Sequence, residues 1–298
     1  MIWIIGNKGM LGTELSLHFA GMGIPHVGTD RELSILDTEA LEEFAATKPI
    51  SWIVNCAAYT AVDRAEDEPE VCHALNSVGP ENIGKLASSI RARVLHISTD
   101  YVFSGIPEME HGQPRPYRED DPIGPTGVYG KTKAEGEMRL MQAAPDSIII
   151  RTAWLYGKHG NNFVYTMLRL MKERNFLGVV ADQIGSPTWA FDLAQAIRML
   201  IAPEVGAEDI SAFPPAGMYH FTNEGQTSWY EFACEIHRLG RMLGYLDHDC
   251  RINPLRTDQY PTRARRPAYS VLSKEKIKTL GIPVPHWRAS LEAFFKTI

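Results

Sequence analysis

The 298-residue sequence predicts an α/β protein, a doubly wound parallel sheet followed by a smaller C-terminal lobe. Two observations predict it. Short β-rich runs alternate with amphipathic helical stretches through the first half of the chain. A G-x-x-G-x-x-G turn stands between the first run and the first helix. Parallel strands need crossover connections, and helices at these intervals supply them.

Met1–Ile5 is an unbroken apolar run and reads as the first strand. Leu11, Leu15, Phe19 and Met22 then recur at helical spacing, so a helix with one apolar face follows. A second strand is expected over 24–29, a helix burying Leu41, Phe44 and Ala45 next, and a third strand over 52–56. Residues 76–90 form a helical stretch with Ile83, Leu86, Ala87 and Ile90 as its buried face. A strand over 94–98 follows, then a Pro- and Gly-rich loop, a helix starting near Tyr129, and a β-rich run over 147–151. Proline-rich stretches over 202–217 and 252–267 separate shorter elements. The division expected is a dinucleotide-binding domain over 1–150 and a lobe over 151–298 that mainly holds substrate and returns some elements to the sheet.

Composition narrows the function classes. Hydrophobic content of 44% and charged content of 22% are ordinary for a globular protein. A net charge of −6 gives no general attraction to nucleic acid or anionic membrane. No apolar run approaches the ~18 residues of a membrane span, and the start of the chain lacks the layout of a secretory signal. Cys56, Cys72, Cys234 and Cys250 form no C-x-x-C pair, so each reads as an inert thiol in a reduced, cytoplasmic protein. The ten histidines show no H-x-x-x-H spacing, and no catalytic metal is expected. The acidic run Glu66, Asp67, Glu68 and Glu70 reads as a solvated helix start, and Trp229, Tyr230 and Phe232 as a helix packing face.

In the turn, Gly6 makes a tight bend, Gly9 lets backbone approach a pyrophosphate, and Gly12 lets the helix pack close to the sheet. The helix N-terminus offers free N–H groups to phosphate. A dinucleotide is therefore expected here. Asp30, at the end of the second strand, suits the ribose hydroxyls of NADH, whereas the next residue, Arg31, suits the 2′-phosphate of NADPH. Both cofactors stay open on this evidence.

Tyr129 and Lys133 stand at i and i+4 on a helix and share a face. Carbonyl reduction needs a proton at oxygen as hydride reaches carbon, and a tyrosine beside an ammonium gives one up more easily. Lys133 is also expected to hold the nicotinamide ribose, so Tyr129 and Lys133 both border the cofactor. Thr99 and Asp100 follow the 94–98 strand at the carboxyl edge where open sheets bind ligands. Thr99 is placed there to hydrogen-bond both a substrate carbonyl and Tyr129.

The set GNKGMLG, VNCAAYTAVDRAE, STDYVFSG, VYGKTKAEGE and RTAWLYG, with TSWYEFA and YPTRARRPAYSVLS, resembles the dTDP-4-dehydrorhamnose reductase family of the extended short-chain dehydrogenases. The resemblance covers nearly the whole chain. It implies reduction of dTDP-4-dehydro-L-rhamnose to dTDP-L-rhamnose by NADPH, or by NADH. By matching positions it implies that Thr99, Tyr129 and Lys133 are catalytic. It implies that Met10, Leu11, Asp30, Ala57, Ala58 and Tyr59 line the cofactor, and that Thr60, Val62, Asp100 and Trp154 meet the sugar nucleotide. Many relatives carry Leu-Asp-Ile where this chain has Leu33-Ser34-Ile35, so the adenine contact expected at Ser34 and Ile35 is reduced to backbone. Magnesium at a subunit contact is associated with some relatives, with no ligands legible here, and a homodimer is an open expectation.

A related dehydratase would carry a carboxylate where Tyr101 stands, which disfavours that class. The alternatives kept are a reductase or epimerase of another nucleotide sugar, and an NADP-binding regulatory subunit like that of methionine adenosyltransferase. Finally, Arg251, Arg256, Arg263, Arg265 and Arg266 crowd one stretch with Asp258 as its sole carboxylate. At least one of them is expected to grip a substrate diphosphate, with Arg266 the weakest candidate because Pro267 follows it.

Overall fold

The structure, a computed structural model, describes residues 1–201 and 214–298. Six strands form one parallel sheet: β1 (Ile2–Ile5), β2 (His26–Thr29), β3 (Trp52–Asn55), β4 (Arg93–Thr99), β7 (Ile148–Thr152) and β12 (Gly217–His220). Their order is β12-β7-β4-β3-β1-β2. The chain runs from β1 outward to β2, then back past β1 to β3. The switch point of this doubly wound sheet therefore lies between the carboxyl ends of β1 and β3.

Strand periodicity explains the two-sided burial. Ile2, Ile4, Trp52, Val54, Ile148 and Ile150 face one layer, where α1 (Met10–Gly21) packs beside α7 (Ala190–Ile201). Trp3, Ile5, Ile53, Val94 and Ile149 face the other, against α2 (Thr38–Ala46), α4 (Gly79–Ile90) and α5 (Val128–Ala143). A short α3 (Pro69–His73) precedes α4. The helix expected over 76–90 begins instead with a π-helical turn, Ala74–Val78, before Gly79. Met22 was expected on the apolar face of α1, but the helix ends at Gly21 and Met22 is exposed.

A hairpin of β5 (Glu108–Glu110) and β6 (Gln113–Arg115) precedes α5. After β7 come β8 (Leu155–Tyr156), α6 (Phe163–Glu173), β9 (Phe176–Val180), β10 (Ile184–Gly185) and β11 (Thr188–Trp189). Beyond β12 lie β13 (Thr227–Ser228), α8 (Trp229–Met242), β14 (Arg251–Leu255), α9 (Glu275–Lys278) and α10 (Trp287–Phe295). Tyr156, Met167, Leu168, Phe232, Ile236, Trp287 and Phe294 build a second apolar core wholly after residue 150. Ser228 and Glu231 form a capping box at the start of α8.

One expectation about the proline-rich stretches is corrected here. Ile252–Leu255 was read as part of a separating stretch, yet it lies in β14, with Pro254 opposite Val179 of β9. A two-stranded ribbon leaves one edge of β14 unpaired, where a missing N–H is tolerated. The other proline-rich stretch lies outside the described residues up to residue 213.

Candidate active site

The loops leaving β1 and β3 meet at the switch point. Gly6 has φ of +80°, and a side chain there would sit 2.8 Å from the backbone nitrogen of Ala57. A Cβ on Gly12 would lie 2.1 Å from the Gly6 carbonyl oxygen. Both positions thus exclude side chains for steric reasons. The bend is tied to β2, because the Gly6 and Asn7 amides donate to the Thr29 carbonyl at 2.7 and 3.1 Å. Gly9 caps α1 with no side-chain hydrogen bond, which leaves Met10 and Leu11 at an uncapped helix N-terminus. This cradle, closed to any Cβ and open to backbone donors, fits a dinucleotide pyrophosphate.

At the β2 end, Asp30 and Arg31 stand together, and Arg31 is exposed with no ion pair among the described residues. Its neighbour Glu32 accepts from the Asp30 amide at 2.8 Å and pairs with Lys8 of the glycine turn at 2.9 Å. The lysine and the two amides pull the Glu32 carboxyl down to about 2. Lys8 and Glu32 were missed from the sequence, where they are a single cation in a turn and a carboxylate beside a better candidate. Ser34 accepts from the Leu36 amide at 3.2 Å. Ile35 turns its side chain into the core against Gly79, so only its backbone faces outward.

After β3, Asn55 shapes the Ala57-Ala58-Tyr59 loop by accepting from the Ala57 amide at 3.0 Å. Asn76, in the π-helical turn, brackets Tyr59, accepting from its amide at 2.9 Å and donating to its carbonyl at 3.1 Å. The Tyr59 hydroxyl donates to Glu68 at 2.6 Å, which raises its pKa. Thr60 is exposed and Val62 half-buried on the rim. The acidic run is not simply solvated. Glu66 accepts from the Val128 amide at 2.9 Å and so holds the start of α5, while Asp67 pairs with Arg263.

The sheet brings Thr99, Asp100, Tyr129 and Lys133 to one place. Thr99 donates to buried Asp100 at 3.0 Å and accepts from the Tyr101 amide at 3.2 Å. Its one hydroxyl hydrogen is directed at Asp100 in this arrangement. Burial raises the Tyr129 pKa, and Thr99 opposes the shift without reversing it. The Asp100 carboxyl is pushed up to about 6 by burial, against the hydrogen bonds of Ser270 and Thr99. Lys133 is only 1% exposed, and burial holds its amine down to about 8. It donates to the Ile97 carbonyl at 2.7 Å and meets the His96 ring at 3.1 Å. In this arrangement the Lys133 amine is held against β4.

Trp154 follows β7 with φ of +50° and stacks on Trp229 with ring centroids 3.6 Å apart. Trp229 thus lies beside a candidate substrate residue, more than the packing face expected for it. Of the arginines, Arg256 is folded onto Asp258 at 2.7 Å and Arg263 onto Asp67. Arg266 pairs with Asp63 at 2.5 Å and donates to the Tyr101 hydroxyl at 3.0 Å. Arg251 and Arg265 are exposed, and Arg265 has no ion pair among the described residues. No group of three or more His, Cys, Asp or Glu side chains among the described residues is placed to hold a metal, and none of their helices is long and apolar enough to cross a membrane.

The family model for the RmlD substrate binding domain matches residues 1–298. A dTDP-4-dehydrorhamnose reductase from Streptomyces griseus is 41% identical over 301 residues, covering 99% of this chain and 93% of the relative. A crystal structure of a dTDP-4-dehydrorhamnose reductase from Clostridium acetobutylicum superposes with a TM-score of 0.87 at 37% identity, covering 99% of this chain and 98% of that one. Another, from Bacillus anthracis in complex with NADP, gives 0.88 at 34% identity and covers 100% and 99%. With its glycine cradle and its Thr99–Tyr129–Lys133 cluster at the carboxyl edge of the sheet, the chain belongs to the dTDP-4-dehydrorhamnose reductase family.

Proposed function

We propose that this protein reduces dTDP-4-dehydro-L-rhamnose to dTDP-L-rhamnose, the last step in making that sugar nucleotide, with NADPH as the main reductant and NADH as the alternative. The observation that carries the reading is the convergence of Thr99, Tyr129 and Lys133 at the carboxyl end of β4, beside the cradle around Gly6 and Gly12. Full-length relatives bearing this activity in their names support it.

The dihydronicotinamide, when bound, supplies hydride. The chain supplies the rest. Tyr129 holds its proton at Oη because its site is buried, which is the state a proton donor to the sugar C4 oxygen needs. Thr99 orients that phenol, and Asp100 fixes the Thr99 hydroxyl. Lys133 anchors the floor of the site through Ile97. The glycine cradle with Met10 and Leu11 takes the pyrophosphate, while Ala57, Ala58 and Tyr59 border the nicotinamide half. Asp30 and Arg31 flank the adenosine ribose, with Ser34 and Ile35 offering backbone only. Thr60, Val62 and Trp154 face the sugar nucleotide, in the lobe-and-sheet division at about residue 150. The reading also places the protein in the cytoplasm, as a homodimer that light scattering would detect.

The test is turnover. Purified protein given dTDP-4-dehydro-L-rhamnose and NADPH should bleach the nicotinamide absorbance and yield dTDP-L-rhamnose. Cofactor binding without any turnover across a panel of 4-keto sugar nucleotides would support the regulatory-subunit alternative instead.

A further inference from the structure

Counting hydrogens along one buried chain of side chains gives a result that the triad alone does not. Asn55 accepts from the Ala57 amide through Oδ1 at 3.0 Å, which fixes its amide orientation. Its Nδ2–H₂ group is therefore the one facing His96 Nδ1 at 3.0 Å. An amide nitrogen only donates, so His96 Nδ1 must accept. A neutral imidazole with a bare Nδ1 carries its hydrogen on Nε2. That Nε2–H points at Lys133 Nζ, 3.1 Å away. His96 is itself fully buried, and burial together with the nearby lysine disfavours its charged form.

A protonated lysine has three donors and no lone pair. Against Nε2–H it would oppose one hydrogen with another. A neutral amine fits the same seat completely, because its lone pair accepts from His96 while one N–H donates to the Ile97 carbonyl at 2.7 Å. Of the other groups facing Lys133, Glu137 favours the charged amine, but burial outweighs it. Cys56, after β3, and Cys72, on α3, are thiols that burial keeps protonated. Glu137, on α5, is held in a bidentate pair with Arg151 at 2.9 and 2.8 Å.

We propose that His96 is a positioning residue that seats Lys133 as a neutral amine, and that protonation of the lysine releases it from this seat. Asn55 sets the tautomer, His96 transmits it, and Lys133 responds. The amine's depressed pKa of about 8 puts the exchange within reach of ordinary working pH. The observed seat faces β4, and release would free the lysine to turn toward the site. Its use in catalysis rests on the role given to Lys133 above, whereas the tautomer and the titration do not.

Both can be read without turnover. In full-length protein labelled with ¹⁵N-histidine and ¹³Cε-lysine, the His96 and Lys133 signals are assigned by their loss in His96→Phe and Lys133→Met. The expected wild-type result is a neutral His96 protonated at Nε2 and a Lys133 titration near 8. Asn55→Asp, which can only accept, should move the hydrogen to Nδ1 and raise the lysine pKa by about one pH unit or more. His96→Phe should raise it without adding charge, and His96→Gln, which keeps an N–H donor, should restore the lower value. A wild-type His96 protonated at Nδ1 would overturn the proposal, as would a Lys133 pKa unchanged in His96→Phe. The wild-type tautomer decides the matter even where a variant does not fold.

Discussion

Arg266 donates to the hydroxyl of Tyr101 at 3.0 Å, across 165 residues of chain, and pairs through the same guanidinium with Asp63. Tyr101 in turn packs edge-on against Tyr129, with centroids 5.5 Å apart. The C-terminal segment thus reaches Tyr129 through one intermediate ring. Arg266→Ala should raise the Michaelis constant for the sugar nucleotide about tenfold and leave cofactor affinity unchanged. The pair is partly exposed, so the loss in unfolding free energy should be only about 1 kcal/mol. Unaltered substrate kinetics would show that the clamp is structural alone.

Tyr129→Phe keeps the ring and its contacts but removes the proton. Turnover should fall by ~10² or more, with cofactor binding nearly constant. Near-normal turnover would take Tyr129 out of the chemistry.

Lys133 also predicts a pH dependence of stability. Its folded pKa, about 8, lies below the ordinary 10.5, so the unfolded chain binds more protons between those values. The stability of the wild type relative to Lys133→Met should therefore increase as pH rises through that window and be constant below it. Urea midpoints of both proteins at about pH 7.5 and about pH 10 check the sign. A parallel trend in the two would mean that the amine is not depressed.

Cofactor choice should respond to the ribose end of the cradle. Arg31→Ala should shift preference toward NADH and Asp30→Ala toward NADPH. Glu32→Ala should also favour NADPH, since it frees Lys8, now 2.9 Å from that carboxylate. Constant NADPH-to-NADH specificity ratios in all three variants would exclude these side chains from the ribose site.

Among the arginines, the structure separates cases that the sequence lists side by side. Arg265→Ala should raise the Michaelis constant for the sugar nucleotide, because this side chain is exposed and unpaired among the described residues. Arg256→Ala should not, because Arg256 is folded onto Asp258. Equal effects would return the whole stretch to a solvated loop.

What was legible in the sequence followed strict local rules. Unbroken burial along Ile2–Ile5, the steric need for glycine at positions 6 and 12, and Tyr129 four residues before Lys133 are all set by short-range geometry. What escaped depends on partners far apart in sequence. Nothing local says that Glu66 will hold the start of α5, or that Arg263 and Arg266 will face Asp67 and Asp63. Trp229 sits in a clear helical pattern, and its stacking on Trp154 arises only when β7 and α8 meet. His96 carried no motif, because its importance lies in which nitrogen bears a hydrogen. The π-helical turn before Gly79 was hidden for a related reason: its residues are ordinary helix formers, and tertiary contacts of Asn76 accompany the extra residue.

The placement of β12 bears on how the chain can be made. This strand pairs with β7, opposite Ile148, Ile149 and Ile150, yet α6, α7 and the first part of the second core lie between the two in sequence. During synthesis the ribosome would deliver five strands of the sheet while the edge of β7 is still bare, an isoleucine-rich template open to any passing strand. The first half of the chain is therefore a poor candidate for expression by itself. Its solubility depends on a strand that emerges only after residue 217, and a stall or truncation before that point leaves an aggregation-prone fragment.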